Sequence, residues 1–313
     1  MVIPISVFLM RDSFKFLLLF ILGSSFSYGQ ESRHQISVEH DNDFLFAIDR
    51  YYTAGTFISY DRLIESDFLL KKTEVAPIQL SFTLGQETYT PRELFETDFD
   101  RLERPYAGYL FGKFQISQGN KNSIFRVSTE LGLAGEQSLA GKFQVAYHEL
   151  INEFIPTWAG EIGNSAHINL GANYVRDYDV LNSNLFKHFA LESTLALGTR
   201  DIYAQQEATA FFGNRSRAHN SSAFGRLSDG QEFYGYGGLG VRYVLLNALI
   251  AGHPFGDDSP FVLDETPLLF QFKAGLIYRG ARNTYEFGYR FQTNQTEREG
   301  RSQYTVFKFS RRF

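Results

Sequence analysis

The sequence predicts an all-β fold, an antiparallel transmembrane β-barrel of about 12 strands with a helical insertion in one loop. Three observations point there. Segment after segment alternates apolar and polar residues with a period of two, the pattern of strands with two unlike faces. The composition is rich in aromatics and glycine, with 32 Phe, 18 Tyr and 27 Gly among 313 residues against one Trp, two Met and eight Pro, which suits strands and turns better than helical bundles. Beyond residue 30 no run of 18 apolar residues remains and the mean hydropathy is −0.23, so no helix is expected to span a bilayer.

The elements follow in order. Arg11 and Lys15 precede an apolar run over 16–22, and Gly23, Ser24, Ser25, Ser27 and Gly29 follow it. A basic flank, a short apolar stretch and a small-residue exit predict a signal peptide over 1–29, with the barrel domain over 30–313. Strands are expected at 34–46, 52–63, 77–89, 105–118, 123–134, 166–177, 187–199, 202–212, 231–247, 266–280, 283–294 and 302–313. Within 285–292, Tyr285, Phe287, Tyr289 and Phe291 oppose Glu286, Gly288, Arg290 and Gln292. Leu268, Phe270, Phe272, Leu276 and Tyr278 likewise oppose Gln271, Lys273, Gly275 and Arg279. In 52–62 the apolar face takes Tyr52, Ala54, Ile58 and Tyr60, which turns Thr53, Ser59 and Asp61 inward.

A water-soluble sandwich would bury the aromatic face against a second sheet, whereas a barrel turns it to lipid and lines its lumen with the polar set. Aromatics near the strand ends, and a last strand closing on Phe313, favour the barrel. Over 136–162 the period changes: Ser138 is a candidate N-cap, and Leu139, Phe143, Tyr147, Leu150 and Phe154 recur at helical spacing until Pro156. A helix of about four turns is expected there, with Gln144 and His148 neighbours on one face.

Several chemistries are excluded or weakened. Zero Cys removes disulfides, thiolate metal sites and thiol nucleophiles. A net charge of −5 argues against a nucleic-acid partner. No Gly-x-Ser-x-Gly elbow is present, and the glycines of 235–240 sit inside a strand pattern, where close packing explains them. Two features remain. His40-Asp41-Asn42-Asp43 packs oxygens densely enough for a hard cation such as Ca²⁺, or else forms an Asx-rich turn. His148 beside Gln144 suits a general base acting on water, or else an ordinary surface histidine.

Taken together, Asp41-Asn42-Asp43-Phe44, then Asp49-Arg50-Tyr51-Tyr52-Thr53-Ala54-Gly55, then Arg104-Pro105-Tyr106-Ala107-Gly108, then Gly135-Glu136 leading to Gln144, His148 and Trp158, resemble the lipid A 3′-O-deacylase family of outer-membrane enzymes. The resemblance implies a twelve-stranded barrel in the outer membrane, with a site near the outer rim that uses Ca²⁺ to hydrolyse an ester of lipopolysaccharide. Carried over by residue, it implies catalytic roles for His148, Gln144, Thr53 and Asn42, and metal ligation by Asp43, Asn42 and Asp41. It further implies that Arg92 or Arg104 takes the place of a substrate-contacting lysine. The implied mechanism is similar to that of secreted phospholipase A2, in which histidine deprotonates water and the cation polarises the ester carbonyl. Two other readings stay open on the same scaffold, a non-catalytic porin or binding barrel and a phospholipid esterase.

Overall fold

The computed structural model describes residues 32–43, 45, 49–65, 77–180 and 186–313, without the side chains of 186 and 187. The expected signal peptide, 1–29, lies outside the described residues. Twelve strands form: β1 (His34–Asn42), β2 (Tyr51–Ile64), β3 (Ile78–Thr90), β4 (Ala107–Asn120), β5 (Ser123–Ala134), β6 (Ser165–Asp179), β7 (Phe186–Gly198), β8 (Asp201–Asn214), β9 (Glu232–Asn247), β10 (Leu268–Arg279), β11 (Asn283–Gln292) and β12 (Ser302–Arg312). Each pairs antiparallel with its sequence neighbour, and β1 closes on β12 with Gln35 opposite Arg312. Closure leaves no sheet edge, the condition for a strand structure to exist in hydrocarbon.

Alternation sorts the side chains as expected. Glu39, Glu87, Lys113, Glu192, Gln271 and Lys308 line the interior, while Phe82, Leu131, Leu195, Phe270 and Phe287 are exposed on the outside, where lipid receives them. Near the chain termini Phe233, Tyr278, Tyr285 and Phe309 form a chain of ring contacts at 5.3 to 6.5 Å, an interfacial aromatic girdle. At that end residues 215–231 fold into the lumen. The Arg226 guanidinium donates to Ser117 Oγ at 2.7 Å, Arg126 to the Phe224 carbonyl at 2.6 Å and Arg279 to the Asn220 carbonyl at 2.5 Å. Phe224 and Ala218 join Phe211, Tyr234 and Ile277 in an apolar cluster inside the barrel. The connections 91–106, 135–164 and 248–267 gather at the opposite end, the outer rim by the rule that long loops face outward.

Two local expectations are corrected. Between Tyr52 and Ala54 the β2–β3 register shifts, so Thr53 is the extra residue of a β-bulge. The phase of the alternation breaks there: Tyr52 points into the lumen, where its hydroxyl donates to Asp41 Oδ2 at 2.9 Å. Thr53 points the other way, to the outward-facing Thr90. The inserted helix is also shorter than four turns. A 3₁₀ turn over Gly135–Ser138 ends at Leu139, whose φ of 62° breaks the ladder, and α1 (Ala140–Ile151) then runs until Asn152 at φ 56°. The Ser138 hydroxyl still accepts the Ala140 N–H, at 3.2 Å.

Candidate active site on the outer face of the wall

Helix α1 docks on the outside of the barrel, not in its mouth. Gly108 of β4 makes this possible, because a side chain there would collide with Ser138 and Ala140. Gln86, on the outward face of β3, donates to the Ser138 carbonyl at 2.7 Å. Ala140, Gln144 and His148, one turn apart, form the face turned to the wall. Phe143, Tyr147 and Leu150, the stripe that helical spacing marks as core, are instead 61, 57 and 83% exposed. The inversion has a physical reason: outside a membrane barrel the apolar neighbour is lipid, so the apolar stripe turns outward and the polar residues turn in.

Between helix and wall lies a polar cluster. His148 is buried, and its Nε2 stands 3.2 Å from Asp49 Oδ2. Its Nδ1 donates to the Phe154 carbonyl at 2.5 Å, since a carbonyl can only accept. The Gln144 amide donates to both Asp49 oxygens at 3.4 Å and accepts Trp158 Nε1–H at 2.9 Å. Thr53 bonds the Asp49 carboxylate and lies 2.7 Å from Thr90 Oγ1. Asp43 sits beside the cluster and is 2% exposed, its Oδ2 accepting the Arg50 N–H at 2.9 Å.

The electrostatics of this cluster are unbalanced. Burial pushes the Asp43 carboxyl up to about 8, with repulsion from Asp49 adding to it. Burial also raises Asp49, against the lowering pull of His148. Among the described residues no Lys or Arg nitrogen comes within ion-pair distance of either carboxylate. Because Nδ1–H is committed to Phe154, a neutral His148 would face Asp49 with a lone pair. Two acceptors at 3.2 Å are stable only if a proton lies between them or a cation neutralises the acid. Two carboxylates near the Thr53 hydroxyl are the kind of oxygen donors a hard cation such as Ca²⁺ takes, so Asp43 and Asp49 are the residues that would hold one, although among the described residues no three acids or histidines stand grouped for a metal ion.

Of the sequence-predicted residues, His148, Gln144 and Thr53 come together here, with Asp43 beside them. Others do not. The expected trio of metal ligands is split by strand alternation: Asp41 faces the lumen, buried against Tyr52, on the opposite side of the wall from α1. Asn42 ends β1 on the other face from Asp41, and its carbonyl accepts from Thr305 Oγ1 at 3.0 Å. Arg104 is fully buried, pairing with Glu299 at 2.9 Å and lying over the Tyr89 ring at 4.5 Å. It ties the 91–106 and 293–301 loops together and has no surface to offer a substrate, which overturns its expected substrate contact. Arg92 is exposed and lies near Glu93 at 3.5 Å, with no bond to the cluster. Residues passed over are Asp49, Thr90 and Trp158. Asp49 and Trp158 stand within the quoted motifs, and Trp158 is the single Trp of the chain.

Comparison with known proteins agrees with this architecture. The family model described as outer membrane protein LpxR matches residues 15–313. The solved structure of LpxR from Salmonella typhimurium superposes with a TM-score of 0.72 at 17% identity, covering 89% of this chain and 100% of that one. The β domain of the Bordetella autotransporter BrkA gives 0.44 at 10% identity, over 91% of this chain and 100% of that one, and adds no weight. No curated protein matches the chain by sequence. With the family model spanning nearly the whole chain, the protein belongs to the LpxR family of outer-membrane proteins, the lipid A 3′-O-deacylase family that its ordered motifs resemble.

Proposed function

We propose that this barrel releases an acyl chain from lipid A in the outer leaflet by Ca²⁺-dependent ester hydrolysis, with His148 as the general base. One observation carries the reading: a histidine with its tautomer set by a backbone carbonyl points its second nitrogen at an uncompensated acid, on the lipid-facing side of the wall near the rim. Acyl chains of outer-leaflet lipids lie alongside that face without having to leave the membrane.

In this reading His148 Nε2 takes a proton from water, and the resulting hydroxide adds to the ester carbonyl carbon. Asp49, 3.2 Å away, stabilises the imidazolium that forms. The tetrahedral intermediate then expels the sugar oxygen, which recovers the proton from Nε2, leaving a free fatty acid and a sugar hydroxyl. Gln144 holds Asp49 from the helix side and Thr53 from the wall side. Asp43 and Asp49 would hold the Ca²⁺, whose chemistry when bound is to neutralise both carboxylates and polarise the ester carbonyl. No serine acyl-enzyme is needed.

The test is mass spectrometry of lipid A and phospholipids from cells expressing the chain, with Ca²⁺ or with chelator. Loss of one acyl chain from lipid A in Ca²⁺ alone is expected. Release from phospholipids only would move the substrate, and unchanged lipids would leave a binding barrel.

A further inference from the structure

We infer that Trp158 is a positioning residue whose indole N–H sets the orientation of the Gln144 amide, and through it the Asp49 carboxylate that faces His148. This rests on the proposed hydrolysis for its catalytic meaning. A carboxamide can be turned end for end at little cost, and its two orientations present opposite dipoles. Next to a half-buried acid that choice matters: the NH₂ group attracts Asp49, whereas the carbonyl oxygen repels it. An indole N–H can only donate. Placed 2.9 Å from Gln144 Oε1, it claims the oxygen and leaves Nε2 for the two Asp49 oxygens.

Trp158 is itself held firmly. Its ring packs on Tyr106 at 5.0 Å with an interplanar angle of 30°, and the Tyr106 hydroxyl is anchored to the Leu94 carbonyl at 2.9 Å. Gly141 of α1 gives the ring room, since a Cβ there would meet Trp158 Cδ2 at 2.9 Å. The backbone adopts φ 53° at Trp158, an uncommon left-handed conformation for a bulky residue that persists where packing enforces it. The same return segment supplies the Phe154 carbonyl that fixes the His148 tautomer. One stretch of chain after α1 thus sets both otherwise ambiguous groups of the helix, the imidazole tautomer and the amide orientation.

Because Trp158 is the only Trp, its indole vibrations in ultraviolet resonance Raman spectra of the full-length folded barrel report this one hydrogen bond. The expected result is a hydrogen-bonded indole in the wild type and a free one in Gln144→Ala, a reading that needs no substrate and stands apart from any failure of the deacylase proposal. Kinetically, Trp158→Phe keeps the stacking ring but loses the donor. It should lower kcat by up to about 10²-fold with KM unchanged, the scale of a misplaced group. The double variant Trp158→Phe with Gln144→Ala should be no slower than Gln144→Ala alone, because the two side chains act as one unit. An indole band indifferent to Gln144→Ala, or losses that multiply in the double variant, would overturn the inference.

Discussion

On the lumen side of the wall several acids meet bases: Lys308 and Glu39 at 2.8 Å, Lys273 and Glu207 at 3.0 Å, Arg126 and Glu192 at 3.3 Å, and Arg200 between Glu87 and Asp201, whereas Asp41 takes the Tyr52 hydroxyl in place of a base. On the outer side at the rim, Asp49 faces the His148 imidazole at 3.2 Å and repels the buried Asp43, which accepts the Arg50 N–H. The luminal acids stand on the strands, and the rim acids on the 43–50 connection beside α1. What the acid faces separates them. Charges paired side chain to side chain are finished structure, whereas an acid set opposite an imidazole with no cation at hand marks a place where something else completes the electrostatics.

The comparison is broken most strongly at the rim. Asp49→Asn keeps the shape of the side chain but removes the charge opposite His148, and should slow acyl release by about 10²-fold or more, the scale of a lost preorganised electrostatic contact. The melting of the barrel on gels should not change. Arg279→Ala should do the reverse. It leaves Glu232 buried without its partner at 2.5 Å, a loss of about 3–5 kcal/mol of stability for a broken buried pair, and should lower Tm with little change in kcat per folded molecule. Since Arg279 also holds the 215–231 segment inside the lumen, planar-bilayer recording should show the wild-type barrel closed and this variant leaky. A wild type with porin-like conductance would contradict the picture of a sealed lumen.

The pH dependence sharpens the contrast. The Asp43 carboxyl lies at about 8 in the folded protein against an ordinary 3.8, so the folded state holds its proton more tightly than the unfolded chain does. Its contribution to stability is complete below about 3.8 and is lost as pH rises through about 8. In chelator, Tm should therefore fall between these limits. Under the proposed ligation by Asp43, Ca²⁺ would compete with that same proton, so Ca²⁺ affinity should climb with pH and level off above about 8; calorimetric titration at several pH values measures both. The smallest effect belongs to Arg92, whose exposed contact with Glu93 is worth less than about 0.5 kcal/mol to stability. Arg92→Ala should melt like the wild type.

Strand alternation was legible because the bilayer imposes it: every wall residue faces either lipid or lumen, and the twelve expected segments coincide with β1 to β12 to within a few residues. Local departures were not. A single bulge at Thr53 reverses the faces of Tyr52 and Thr53, and nothing in a one-residue insertion shows in an apolar–polar pattern that resumes at once. The helix is visible by its spacing, but spacing leaves its orientation open, because a stripe of Phe143, Tyr147 and Leu150 packs inward against a core or outward against lipid. Arg104 looked like a rim cation because sequence gives no sign of Glu299 waiting 195 positions away. His148 and Gln144 were found through their i, i+4 spacing and the resemblance, whereas Asp49, quoted in the motif, lacked a signal that set it apart from the neighbouring acids.

The central claim, that the imidazole on the outer face of the wall does the chemistry, is tested most directly with purified His148→Ala. Acyl release from lipid A in Ca²⁺ should fall by about 10²–10⁴-fold, the usual contribution of a general base, while the protein still runs as a heat-modifiable barrel. Wild-type turnover by that folded variant would contradict the account.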